Sequence, residues 1–198
     1  MVDNPLRIVI TGTVPFDNEP QRLTTLLSAG WTYVHLRYPD LSLRDVRRII
    51  EGIPQKYHSR LKLHGHFELV NEFNLGGLHL NRRCPTPPIG YSGELSLSCH
   101  SVEDVAEAAA SKQFAYVTLS PIFASISKPG YMPRITEDQF ATAGKMMPVV
   151  ALGGIAPHKI PDMAFIPVAG YAVLGYLSKV SDLRELELIT EDFKCFEK

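Results

Sequence analysis

Several things are scarce in this sequence, and each scarcity excludes a class. Cysteine occurs three times in 198 residues, as Cys84, Cys99 and Cys195, an odd number at wide spacing with no C-x-x-C pair. That excludes a disulfide framework and a structural zinc site of ordinary ligand spacing. Neither charge is in excess: 20 Lys and Arg face 21 Asp and Glu, leaving a formal charge of −1. The electrostatic footprint of a nucleic-acid or anionic-membrane binder is therefore missing. No apolar run approaches the ~20 residues of a bilayer span, and the opening MVDNPLRIVITG lacks the basic-then-apolar pattern of a secretory signal. Asn-Gly hairpin signals are absent as well. We expect a cytoplasmic protein whose partners are small molecules, with no nucleic acid and no membrane among them and an oligomeric state left open.

What is present is a repeated unit. Short apolar runs bounded by Gly, Pro or polar residues begin at 7, 33, 61, 77, 95, 116, 149 and 170, and most of the intervals hold residues at helical spacing. The reading is strand, helix, parallel strand, repeated. Ser42, Ser101 and Thr136 stand where a hydroxyl caps free helix amides, each with an acidic or amide residue three positions on. Residues 66–74 hold two turns at most, and 82–93, with three prolines, hold none. We expect one domain over residues 1–198, a compact (β/α)8 TIM barrel with short or missing helices after strands three and four. An open doubly wound sheet is the alternative.

In such a barrel, chemistry sits where strands end. His35 and Arg37 share the interior face of the second strand, and a buried arginine needs an anionic partner. His64 and His66 end the third strand, His79 and Asn81 the fourth, and Ser98 and His100 the fifth. Gathered imidazoles allow a transition-metal site or a polar lining for a heterocycle. No carboxylate joins them in these strands, which favours the lining. Cys99 reads as a packed residue rather than a nucleophile. Gly153 and Gly154 end the seventh strand ahead of Pro157, where backbone amides at a helix start suit a phosphate. Ser125, Ser127 and Lys128, after the sixth strand, make an anion cradle.

Taken in order, these strand ends resemble the thiamine-phosphate synthase and thiazole tautomerase family. Its Gln-x-Arg-x-Lys is similar to His35 to Pro39, with the arginine kept. Its Gly-Val-His-Leu resembles Gly77 to Leu80, and its Gly-x-Ser-x-His resembles Ser96 to His100. Gly-Pro-Ile-Phe-x-Thr-x-Thr-Lys is similar to Ser120 to Lys128, with serines for both threonines, and Ala-Ile-Gly-Gly-Ile to residues 151–155. The resemblance implies a (β/α)8 barrel and a transferase of thiamine biosynthesis that joins an aminopyrimidine diphosphate to a thiazole phosphate, releasing pyrophosphate with the help of Mg²⁺. It implies catalytic roles for Arg37 and Lys128, to which the reading of the fifth strand's end adds His100. It further implies phosphate contacts from Ser125, Ser127, Gly153 and Gly154, beside the binding residues His35, His64, His66, His79, Asn81 and Ser98.

The synthase's metal-binding aspartates would fall near His64-Gly65 and near Asn81 to Cys84, where no aspartate stands, so the metal ligands are unassigned. Arg82 and Arg83 offer positive charge there. Pro39 replaces a lysine of the family, and the tautomerase's strand-six-loop histidine is replaced by Ser120-Pro121. A synthase-like transferase is the first expectation. A tautomerase-like isomerase or thiamine-salvage enzyme, a non-catalytic binder of thiamine or thiazole phosphate, and a histidine-ligated metallohydrolase follow.

Overall fold

Eight short strands lie parallel and in sequence order: β1 (Leu6–Ile10), β2 (Tyr33–Leu36), β3 (Leu61–Leu63), β4 (Gly77–Leu80), β5 (Leu95–Cys99), β6 (Tyr116–Leu119), β7 (Val149–Leu152) and β8 (Gly170–Val173). Pairing of β1 with β8 closes them into a barrel, so the open-sheet alternative falls. The structure is a computed structural model and describes residues 5–124 and 135–195.

Period-two alternation sorts each strand's side chains between two environments. Val34, Leu36, Leu61, Leu63, Leu78, Val117, Leu119 and Val149 are buried under the helices in the main core. A smaller cluster of Ile8, Ile10, Tyr116, Val150 and Ala172 fills the barrel interior. The interior is divided. Its wall from β7 through β8 to β1 is apolar, whereas His35, Lys62, His79, Ser96 and Thr118 line the wall from β2 to β6, each buried. Lys62 closes the lower end: its ammonium donates to the Gly76 carbonyl at 2.7 Å, pairs with Glu94 and lies 4.5 Å from the Tyr33 ring centroid. A buried ammonium is tolerable only with such partners.

The helices are α1 (Glu19–Ser28), α2 (Leu43–Glu51), α3 (Leu69–Glu72), α4 (Val102–Ser111), α5 (Glu137–Gly144) and α6 (Leu183–Cys195). The three hydroxyl caps form as expected. Ser42 accepts from the Asp45 amide, and both Ser101 with Asp104 and Thr136 with Gln139 make reciprocal capping boxes. The layer is thin after β3, where α3 has four residues, and after β4, which leads to β5 with no helix. One expectation needs correcting. Pro157 opens a single 3-10 turn, Pro157–Lys159, and not an α-helix, so no aligned row of peptide dipoles points at the mouth from there.

The loops above β1, β2 and β8 are tied by a buried ion pair. Arg22 bonds Glu19 at 2.7 Å, the Val180 carbonyl at 2.7 Å and the Leu177 carbonyl at 3.0 Å. Glu19 in turn accepts from the Tyr38 hydroxyl at 2.6 Å and the Phe16 amide at 3.2 Å. Tyr38 follows Arg37 directly, so this pair fixes the backbone that carries Arg37.

Candidate active site at the C-terminal mouth of the barrel

A cavity of about 880 Å³ opens at the C-terminal ends of the strands. Arg37, His64, His66, Asn81, Ser98, His100, Gly153 and Gly154 all line it, so the alternation argument placed most of the candidate residues on one surface. Ser125, Ser127 and Lys128 lie outside the described residues.

His35 and His79 differ from expectation. Both are fully buried beneath the cavity floor, with no surface to offer a substrate. Their nitrogens are occupied: His35 Nδ1 is 2.9 Å from His64 Nε2 and its Nε2 is 2.7 Å from the Tyr116 hydroxyl. His79 Nδ1 and Nε2 are each 2.8 Å from a hydroxyl, Ser96 and Ser98 respectively. Register sets Ser96 beside Tyr116 on adjacent strands. The interior thus holds a string of hydroxyls and imidazoles whose two ends, His64 and Ser98, reach the cavity. Burial holds the His35 and His64 rings well below the usual imidazole range, helped by neighbouring imidazoles. Burial, and then the Lys62 charge, pushes His79 down to about 3. All three rings are neutral at physiological pH.

Nitrogens of His35, His64 and His79 lie within 4.8 Å of one another, a spacing that invites a metal. Ring orientation argues against it. The His64 and His79 rings stack, with centroids 4.3 Å apart and planes 23° apart. An ion at roughly 2.1 Å from an imidazole nitrogen lies near that ring's plane, and two stacked rings share no such point. The cluster is a hydrogen-bonded lining, and the metallohydrolase reading loses its basis. The Mg²⁺ that the resemblance implies does not fit either. No Asp or Glu is found among the described lining residues, and Mg²⁺ demands hard oxygen ligands. Of the two acids that follow the third strand, Glu68 is exposed and Glu72 pairs with Arg47 on the exterior.

The cavity is instead basic. Arg37, Arg82 and Arg83 line it. Arg37 is held below the ordinary guanidinium range first by burial and then by the charge of Arg83, against which Asp40 acts. Asn81 serves the loop more than a ligand. Its amide donates to the His64 carbonyl at 2.9 Å and the His79 carbonyl at 3.2 Å, and its Oδ1 accepts from the Arg83 amide at 3.0 Å. His66 sits in the left-handed region with φ of 51°, its Nε2 2.9 Å from the Leu41 carbonyl. His100 is exposed at the rim, Nδ1 3.2 Å from the Ser120 hydroxyl. Cys99 is fully buried, its thiol pushed up to about 12 by burial and then by Asp104, which suits packing and not nucleophilic attack.

Gly153 and Gly154 have φ of 108° and 66°. A Cβ on Gly154 would stand 2.3 Å from the Ala124 carbonyl oxygen, and one on Gly153 would stand 2.8 Å from the Pro121 Cβ. The glycines therefore let the loop after β6 lie against the end of β7, where Phe123 donates to the Gly153 carbonyl at 3.1 Å.

The sequence reading missed Thr13, Tyr176 and Ser178, which line the cavity from the loops after β1 and β8 and belong to no motif. It also missed Tyr116 and Ser96, although the alternation that places His35 inward places them inward too.

Comparison with known proteins agrees with this geometry. The profile of the family described as thiamine monophosphate synthase matches residues 7–177. Thiamine-phosphate synthase of Proteus mirabilis is 28% identical over 192 residues, covering 89% of this chain and 87% of its own. The crystal structure of thiamine phosphate pyrophosphorylase from Bacteroides thetaiotaomicron superposes with a TM-score of 0.83 and 32% identity, covering 96% of each chain. The pyrophosphorylase of Pyrococcus furiosus, at 20% identity and a TM-score of 0.77, shares the fold over 96% of this chain and 95% of its own. With strand order, cavity position and sequence pattern in agreement over most of its length, the chain belongs to the thiamine monophosphate synthase family.

Proposed function

We propose that this chain is a thiamine-phosphate synthase, joining an aminopyrimidine diphosphate to a thiazole phosphate. The observation that carries the reading is the position of Arg37. It follows β2 directly, half-buried, in a cavity with two further arginines and no carboxylate among the described lining residues. Such a surface is built for a polyanion.

The carbon–oxygen bond to the diphosphate breaks with its electron pair going to the leaving oxygen, which leaves a pyrimidinylmethyl cation. The thiazole nitrogen gives its lone pair to that carbon, forming the new carbon–nitrogen bond. No proton need move. The protein's task is to stabilise negative charge as it develops on the leaving group, which fixed guanidinium donors in a partly dehydrated site do well. Arg37 has this role, with Lys128 assigned beside it by its place in the family motif. His64 and Ser98, the exposed ends of the neutral string, offer donor and acceptor groups to a flat heterocycle, and His100 stands at the rim. Gly153 and Gly154, with Ser125 and Ser127, are assigned to the thiazole phosphate. Neutrality of the imidazoles keeps the floor from competing with the arginines for the diphosphate.

The test is to incubate the protein with both substrates, in Mg²⁺ and separately in EDTA, and follow thiamine phosphate by mass spectrometry. Product is expected, and Arg37→Ala should reduce its rate by about 10²-fold or more. No product under either condition overturns the reading.

A further inference from the structure

The arrangement of charge at the mouth goes further than the reaction class. We infer that this site binds and releases pyrophosphate without a divalent cation, its arginines doing what a magnesium ion would otherwise do. The inference rests on the diphosphate reading above.

Acidic groups are the first consideration. Among the described lining residues none is Asp or Glu. The segment 125–134, SISKPGYMPR, adds two basic residues to the sequence and no acid. A magnesium ion arriving with pyrophosphate would find no carboxylate to hold it and three guanidinium groups to repel it.

The mounting of the arginines is the second. Asn81 and Cys84 exchange backbone hydrogen bonds of 3.1 and 3.0 Å, closing a tight turn with Arg82 and Arg83 at its tip. The Asn81 side chain pins this turn from inside, accepting from the Arg83 and Cys84 amides and donating to the His64 and His79 carbonyls. That is a rigid support for two side chains that lie exposed at the cavity rim. A solvated pair of arginines needs no such support.

The third is the mutual effect of the charges. Arg83 lies near enough to Arg37 to disfavour its protonated form, and among the described residues no carboxylate forms an ion pair with Arg37, Arg82 or Arg83. Two guanidiniums facing one cavity, with Asp40 acting on Arg37 less than Arg83 does, repel, and a polyanion between them relieves the repulsion. Guanidinium forks match the oxygens of a phosphate bidentately and remain charged throughout turnover. Arg37 would grip one phosphoryl group from the strand end while Arg83, from the turn, grips the other.

Titration calorimetry with inorganic pyrophosphate tests this, on EDTA-treated protein and again with Mg²⁺ added at constant ionic strength. Binding in EDTA, no tighter with Mg²⁺, is expected. So is a weakening of about tenfold or more in Arg83→Ala and in Arg37→Ala, each loss corresponding to one charge-assisted contact. Arg83 is exposed, so its variant keeps the fold, and a melting curve checks this. Binding that requires Mg²⁺ overturns the inference and leaves the diphosphate site intact. Binding in EDTA that neither variant weakens overturns it too, because the anion is then held elsewhere. Absence of binding under both conditions removes the diphosphate reading itself.

Discussion

Mild acid should weaken this protein through the interior of its barrel. His79 titrates at about 3 in the folded chain and near 6.5 once unfolded. Below pH 6.5 the unfolded chain therefore binds a proton that the folded chain refuses, and stability falls with falling pH. Integrated from pH 7 to pH 5, this one ring removes about 2 kcal/mol. His35 and His64 are displaced in the same direction by the same burial. Their displacement adds to that loss in the same direction, against a total stability of roughly 5–15 kcal/mol for a domain. At about 2–4 °C per kcal/mol for a chain of this length, His79 alone should lower the melting temperature by roughly 4–8 °C between pH 7 and pH 5, and the other two rings deepen the drop. Circular dichroism melts at fixed ionic strength measure it. In His79→Asn the drop should shrink by about 2 kcal/mol, even though this variant starts lower at pH 7. A wild-type melting temperature that moves by less than about 4 °C across the window refutes the buried, neutral imidazole cluster.

Two further substitutions probe the loops that frame the cavity. Glu19→Gln leaves the Arg22 guanidinium buried without its charge partner and should lower stability by about 3–5 kcal/mol in urea denaturation. A change below about 1 kcal/mol would mean that the pair behaves as a solvated one. Gly154→Ala puts a Cβ onto the Ala124 carbonyl at a left-handed backbone position, so we expect about 1–2 kcal/mol of lost stability together with weakened thiazole phosphate binding by calorimetry. If both quantities are unchanged, the packing of the β6 loop on the end of β7 is wrong.

The barrel was legible because each strand is a short run of β-branched and aliphatic residues whose alternate positions face different surroundings. That same alternation put Arg37, His64 and Ser98 on the cavity wall. It gave no depth along the strand, so His35 and His79, inward-facing but lower, passed for ligand contacts. In sequence the glycines after β7 suit a phosphate, whereas the nearer demand on them is the β6 loop, a neighbour distant in sequence and invisible to local pattern. Pro157 looked like a helix start because proline suits a first turn equally well in α and 3-10 geometry. Tyr176, Ser178 and Thr13 sit in loops whose direction depends on the Glu19–Arg22 pair, and no spacing rule foretells that.

The string of hydroxyls and imidazoles inside the barrel has a consequence for how this protein can vary. Each member shares its hydrogen-bonding groups with its neighbours: His35 with His64 and Tyr116, His79 with Ser96 and Ser98. Replacing one by an apolar residue strands the partners on either side, so a single change is penalised more than once. Change here is expected to come in sets, with an imidazole and its hydroxyls exchanged together for aliphatic side chains of matching volume. The polar wall should thus be exchanged as a unit, and a relative that lacks one member is expected to lack its partners too.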